Sequence, residues 1–469
     1  MSKNRMSIVD VEKVEILPLN PPANNAYSFK EGFPIVQFMI PNQPKLLVGS
    51  TMRLNGVLRL NMPTSTEATP VLVDNNDNKG TDGTNSSNSC LSSRVGVAST
   101  IDQITLSSMT NQTLEVVRSY GRYLSSVQSI THSQEDFDTN LQLQGLTASR
   151  KMNGAFQVNN DVFFSIPLRT GMLSGGQEIP IGTNGVRGLQ VELKLSPDAQ
   201  VLSGFTLADG TDLNNSAAGT GVFYQLRDLS LSYNLLVPDP ETAAQMSVPS
   251  TGSLTYNAVS HLYSVINSND QTQNYNLGTS KTLSVFHNFL PTSHLNNYAQ
   301  DGFQTPRLRN SAGGVYNADA TLKRVSFLKG GVLSPIENEI DVEAASQSGR
   351  PRSEVLTNFI NAIKPYSQFN HSLISLNTNQ SLSTDVSPLN GQDLITGAGG
   401  KNFQQAQDEP VFGVGVAEDP YRVGVDFKNT NYGLRIVSNL NGASPNSIFT
   451  YVLAQNTLMY SPQGIAVMS

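Results

Sequence analysis

The sequence predicts an all-β chain built as two antiparallel sandwiches in tandem, and three observations carry that expectation. In YQLRDLSLSYNLLV, residues 224–237, Leu229, Leu231, Tyr233, Leu235 and Val237 occupy every second position, with Ser230, Ser232 and Asn234 between them. That period of two is the mark of a half-buried strand, and Pro238 and Pro240 end it. Just upstream, Leu189, Val191, Leu193 and Leu195 alternate with Gln190, Glu192 and Lys194 in the same way. The end of the chain then answers this pair of strands: YGLRIVSNL (432–440), a short polar loop, and SIFTYVLAQNTLMYS (447–461). A repeated strand–loop–strand ending in two halves of similar length points to an internal duplication.

Length and composition agree. At 469 residues the chain exceeds the roughly 250–300 beyond which one core stops growing, so two or more domains are expected. Charged residues are only 14%, against about 25% in ordinary globular chains, and Ser, Thr, Asn and Gln solvate the surface instead. Such a composition favours strands and long ordered loops over helix bundles.

Taken in order, residues 1–30 form an N-terminal arm or edge strand (Ile8, Val9, Val11, Val14, Ile16) followed by a break from Pro18 to Asn25. The first sandwich is expected over 31–238. It starts with strands at 33–41 and 46–62, the latter with a bulge or bend at Asn55-Gly56. A polar loop at 63–95 and a strand at 98–108 follow. Leu114, Val117, Tyr120, Leu124, Val127 and Ile130 then step by three or four, which predicts a helix over 112–130, capped by Thr110 or Asn111 and with Glu115 in its first turn. Tyr120, Arg122 and Tyr123 are expected to pack between this helix and the sandwich. A strand at 155–168 completes the approach to the pair described above. Residues 239–249 are read as a linker and 250–469 as the second sandwich, with strands at 253–266, 281–290, 320–328, 423–427, 432–440 and 447–461. A short helix at 353–363 is expected to be capped by Ser353, with Leu356, Phe359, Ile360 and Ile363 as its apolar stripe.

The residues that usually carry chemistry are not arranged to do so. Cys90 is the single cysteine, so no intrachain disulfide forms, and it lies in a Ser/Asn-rich loop without an evident base. The five histidines, His132, His261, His287, His294 and His371, fit no zinc spacing; His287 and His294 are separated by a proline. Glu135, Asp136 and Asp138 lack the register of a calcium loop. GAGGKN at 397–402 lacks the first glycine of a phosphate-binding loop and has Asn402 where Ser or Thr is needed. The sequons at Asn85, Asn111, Asn214, Asn370 and Asn379 are read as by-products of composition. No catalytic residue, cofactor-binding residue or metal ligand is named, no cofactor is expected, and the chain is read as a non-enzyme. A net charge of −7 with no basic tail excludes general attraction to nucleic acid, and no apolar run approaches the ~18 residues of a membrane span. MSKNRMSIVD lacks the apolar core of a signal peptide, so synthesis as a soluble protein in cytosol or nucleus is expected.

The IDQITLSS strand leading into LEVVRSYGRYLSS, then LRDLSLSYNLLVPD, KTLSVFHNFLPTSHLNNY and the terminal TLMYSPQGIAV together span most of the chain. With tandem sandwiches around them, the chain resembles the double jelly-roll major capsid proteins, in particular those of polinton-like viruses and virophages within the adenovirus hexon lineage. The resemblance implies two eight-stranded jelly rolls and a homotrimeric, pseudo-hexagonal capsomer that tiles an icosahedral shell around double-stranded DNA. It implies neighbouring capsomers, penton proteins and minor capsid or cement proteins as partners, and the virion capsid as the location. Loops 63–95, 196–222, 267–280, 291–319 and 377–410 then become outer towers or trimer clasps, and the arm and the tail after Tyr460 lie inward or bridge capsomers. The alternative reading is a paired-jelly-roll enzyme or binding protein acting on glycans, which needs a carboxylate-lined cleft between the sandwiches.

Overall fold

Alternation of apolar and polar residues sets the architecture of the computed structural model. It describes residues 7–61, 70–72, 91, 95–131, 142–144, 161–174, 178–202, 205–207, 223–292, 295–296, 303, 321–341, 350–363, 414–417, 424–439 and 446–469. The first roll is built from β1 (Ile8–Ile16), β2 (Ile35–Ile40), β3 (Leu46–Asn61), β4 (Ile101–Ser108), β5 (Thr113–Arg118), β6 (Asp161–Pro167), β7 (Leu189–Leu195) and β8 (Phe223–Pro238). One sheet has the order β1-β8-β3-β6 and the other β2-β7-β4-β5, with every pairing antiparallel.

The second roll repeats this plan with β9 (Gly252–Ile266), β10 (Asp270–Tyr275), β11 (Thr282–Pro291), β12 (Thr321–Lys329), β13 (Val332–Leu333), β14 (Val414–Ala417), β15 (Tyr432–Asn439) and β16 (Asn446–Ser461). Its sheets run β9-β16-β11-β14 and β10-β15-β12-β13. Each position in the first roll therefore has a counterpart eight strands later. The two strand pairs matched by sequence, β7 with β15 and β8 with β16, hold equivalent places. The fold is a double jelly roll, as the sequence led us to expect.

Burial follows the predicted register. Leu229, Leu231, Tyr233 and Leu235 of β8 are buried, as are Leu189, Val191, Leu193 and Leu195 of β7. Removing one such leucine from water stabilises the fold by roughly 1.5–3 kcal/mol. The bulge near Asn55-Gly56 lies on the opposite strand from the expected one. The β8–β3 ladder slips between Arg227 and Ser230, and Asp228 takes a φ of 47°. That irregularity moves the inward positions of β8 from Leu226 to Leu229. Gly56 makes room for it: a Cβ there would stand 2.6 Å from Leu229 Cδ2 and 2.9 Å from the Arg227 carbonyl.

Several expectations are corrected. The helix predicted over 112–130 is a strand, β5, followed by α1 (Tyr120–Thr131), with Ser119 at a φ of 49° making the corner. The helix expected at 353–363 spans Arg350–Ile363 (α2), so Ser353 lies inside it and is not its cap. Residues 239–249 hold a helix, Pro240–Ser247, whose first turn is capped by Asp239 accepting from the Thr242 amide at 2.8 Å. The stretch 267–280, read as loop, contains β10. Of residues 423–427, read as a strand, the described part 424–427 makes a single bridge, Val425 to Thr282. The chain's end returns as a strand, Gly464–Met468, on β16. The arm segment Ile8–Ile16 is the edge strand of the first roll, paired with β8 from Pro238 to Leu231.

The sheet β9-β16-β11-β14 is a shared middle layer. Val285, Phe289, Ile448 and Val452 face the core of the second roll. Phe286, Phe449, Tyr451 and Leu453 belong to the larger core that contains the first roll. Strands covered on both faces read as continuous apolar runs, which is why residues 448–454 of β16 show little alternation.

Candidate functional site

The joint between the rolls is crossed by several buried hydrogen bonds. Glu115 points from β5 into it and is 3% exposed. The amides of Gly171 (2.8 Å) and Val259 (2.6 Å) donate to its Oε1, and the Met172 amide (3.0 Å) donates to Oε2. Gly171 and Met172 belong to the first roll, Val259 to β9 of the second, so one carboxylate holds both rolls by their backbones. Burial pushes the Glu115 carboxyl above the ordinary carboxylate value, and the Thr170 hydroxyl with the three amides pulls it back part of the way. A Cβ on Gly171 would meet the Ala258 Cα at 2.9 Å, so the rolls touch backbone to backbone here.

Further ties surround it. The Tyr256 hydroxyl donates to the Leu114 carbonyl (2.8 Å), the Tyr451 hydroxyl to the Ser119 carbonyl (2.9 Å), and Asn288 Nδ2 to Ser126 Oγ (3.0 Å). At the other end the Arg187 guanidinium donates to the Ser461 carbonyl, and Asn184 bonds Val248 and Ser250 on the connecting segment. Tyr120, Arg122 and Tyr123 are all buried, as packing between helix and sandwich requires. Arg122 lies 4.4 Å from the Phe449 ring centroid, and Tyr123 stacks on Phe286 at 6.4 Å. Buried cations are tolerated over aromatic faces, where the ring quadrupole replaces part of the lost hydration.

Of the histidines singled out in the sequence, His287 is a core residue. It is fully buried, with Nδ1 2.8 Å from Thr450 Oγ1 and Nε2 2.8 Å from the Tyr432 hydroxyl, tying the two sheets of the second roll together. Burial pushes its pKa down to about 3. His261 lies at the joint, on β9. Cys90, His132, His294, His371, Glu135, Asp136, Asp138 and residues 397–402 lie outside the described residues. Among the described residues no group of three or more His, Cys, Asp and Glu side chains is placed to hold a metal ion. No helix among them is long and apolar enough to cross a membrane.

The outward surface of the first roll carries large apolar side chains on its edge strands. Val9 (67% exposed) and Val11 lie on β1, Phe163 (76%) on β6, and Ile35 and Met39 on β2. These strands are sheet edges among the described residues. Edges of this kind pair or aggregate unless a neighbour covers them. Sequence reasoning did not single out Glu115 as a buried group, because the three- and four-residue spacing around it was read as helical.

Two rolls whose eight main strands follow the same order, joined through a shared middle sheet, define the class: the double jelly-roll fold. Solved structures with this architecture match along nearly the whole chain. A chain of the PBCV-1 virus capsid has a TM-score of 0.56 at 10% identity, covering 100% of this chain and 99% of its own. The Faustovirus major capsid protein gives 0.56 at 9% identity over 98% and 92%. A chain of the Sputnik virophage gives 0.50 at 10% identity over 98% and 89%. No protein-family model matches the chain. No curated protein sequence is significantly similar to it.

Proposed function

We propose that this chain is the major capsid protein of an icosahedral double-stranded DNA virus. The observation that carries the proposal is the repeated roll, with the eight main strands of each half in equivalent order, matched over nearly its full length by the Faustovirus major capsid protein. On this reading a first roll over 31–238, completed by the edge strand Ile8–Ile16 from the 1–30 segment, is joined through 239–249 to a second roll over 250–469. Three copies then present six similar rolls, a unit with three-fold symmetry and a nearly hexagonal outline. Such a unit packs against six neighbours, which is what tiling a shell requires. The exposed apolar residues of β1, β2 and β6 supply surfaces for a second copy, and closure into a ring covers the edges.

Partners on this reading are two further copies, neighbouring capsomers, penton proteins and minor capsid or cement proteins, and the site of action is the virion. Glu115, the carboxylate buried between the rolls, is enclosed by amide donors and is closed to a substrate such as a glycan. Light scattering on the purified protein tests the proposal: three chain masses per particle is the expected result. A monomer at micromolar concentration contradicts it.

A further inference from the structure

The joint holds an imidazole beside two arginines. His261 lies on β9 two residues beyond Val259, the residue whose amide Glu115 holds. Its ring stacks on Phe449 (5.8 Å between centroids, 29° between planes) and lies 5.1 Å from the Tyr451 ring. Nε2 is buried with no hydrogen-bond partner among the described residues. The charged groups that face it come from the first roll: Arg118 at the end of β5 and Arg122 in α1. Arg122 sits over the same Phe449 ring, 4.4 Å from its centroid. Asp102, on β4, is the acid that faces both arginines, and it also faces Lys194. From β16 the neighbours of His261 are the aromatic rings of Phe449 and Tyr451. A neutral imidazole fits this place. The ring as a whole is half-buried and Arg118 is exposed, so an imidazolium there is opposed chiefly by the buried Arg122 and by an enclosed Nε2–H with no acceptor among the described residues.

We propose that His261 makes the joint between the rolls acid-labile, so that proton uptake on its ring loosens β9 from β5 and α1 while each roll keeps its own core. Burial first, then the two arginines, lower its pKa from 6.5 to about 4. The sign follows from linkage: a group with a depressed folded pKa contributes stability that is complete above its unfolded value and is lost as pH falls through the folded one. The window is therefore pH 6.5 down to about 4. Glu115 works in the other direction, because its raised carboxyl takes up a proton more readily in the folded joint than in an open one. His287, in the second core, is held lower, at about 3, so its own loss begins at the same upper limit of 6.5 and runs further into acid. The consequence is a hinge between the two rolls that is closed at neutral pH and slackened by acid.

Hydrogen exchange on the full chain, corrected for the intrinsic pH dependence of exchange, reads the joint directly. Between pH 7 and 5 the opening constant of peptides covering β5, α1 and β9 is expected to rise about 20-fold for a group that titrates at about 4 closed and 6.5 open. Peptides of β7, in the core of the first roll, are expected to stay protected. His261→Phe keeps a neutral ring on Phe449 and is expected to abolish the rise; His261→Gln serves if the phenylalanine variant does not fold. Identical pH profiles for wild type and variant overturn the proposal. So does loss of protection in β7 together with the joint, or a His261 titration midpoint at or above 6.5 by NMR.

Discussion

Replacing Glu115 by alanine probes how the two rolls are held together. The substitution strips the acceptor from three amides, those of Gly171, Met172 and Val259, at 2.8, 3.0 and 2.6 Å. Each buried donor left unsatisfied costs about 1–3 kcal/mol, which sums to roughly 3–9. Part of that is returned because a carboxylate no longer has to be desolvated, so a net loss of about 4 kcal/mol is expected, in line with breaking other buried charged contacts. For domains of this size 1 kcal/mol moves the melting temperature by about 2–4 °C, so the melting point should fall by about 10 °C. Because Val259 belongs to the second roll and the other two amides to the first, the loss falls on the joint. Calorimetry should show the rolls melting in separate transitions where wild type melts in one. Glu115→Gln keeps one acceptor oxygen but turns an amide donor toward N–H groups, and should fall between the two. A Glu115→Ala protein that melts within about 2 °C of wild type, in one transition, shows that the carboxylate does not hold the rolls together.

Leu231→Asp puts a carboxylate into the first core at a fully buried position. It forfeits roughly 1.5–3 kcal/mol of apolar burial and adds a desolvation cost, so little soluble protein is expected in an expression assay. Gly56→Val drives a side chain into the bulge at Asp228, where Leu229 Cδ2 and the Arg227 carbonyl would lie only 2.6 and 2.9 Å from the new Cβ; a loss of about 1–3 kcal/mol by denaturant unfolding is expected for such overpacking. His287, held near 3 by burial, contributes stability that is complete above 6.5 and is lost as pH falls toward 3. His287→Phe should flatten that acid limb in pH-dependent unfolding, yet lower stability at neutral pH because the Thr450 and Tyr432 hydroxyls lose their partner.

Strands with one wet face were legible because alternation survives in them, as in β7 and β8. The first error, a helix over 112–130, arose because Leu114, Val117 and Tyr120 satisfy a helical step while lying on a strand, the end of that strand and a helix start in turn. Only the tertiary position of Glu115, inside the joint, distinguishes the two readings, and no local spacing reports it. β10, DQTQNY, is nearly all polar and becomes a strand through its pairing with β15, from Asp270 against Val437 to Tyr275 against Tyr432. The bulge was read at the right level of the sheet but on the wrong strand, since a glycine that accepts a bulge looks the same in sequence as one that forms it. The candidate site was the least legible part. His261, Arg122 and Phe449 come from three separate elements and meet only when the rolls close on each other.

If two like rolls, firmly joined, make one third of a six-sided unit, the purified protein should show that outline in negative-stain electron microscopy. Flat particles with a three-fold axis and a pseudo-hexagonal outline are the expected result. Single bilobed particles with no symmetry, at a concentration where the protein is folded, contradict it.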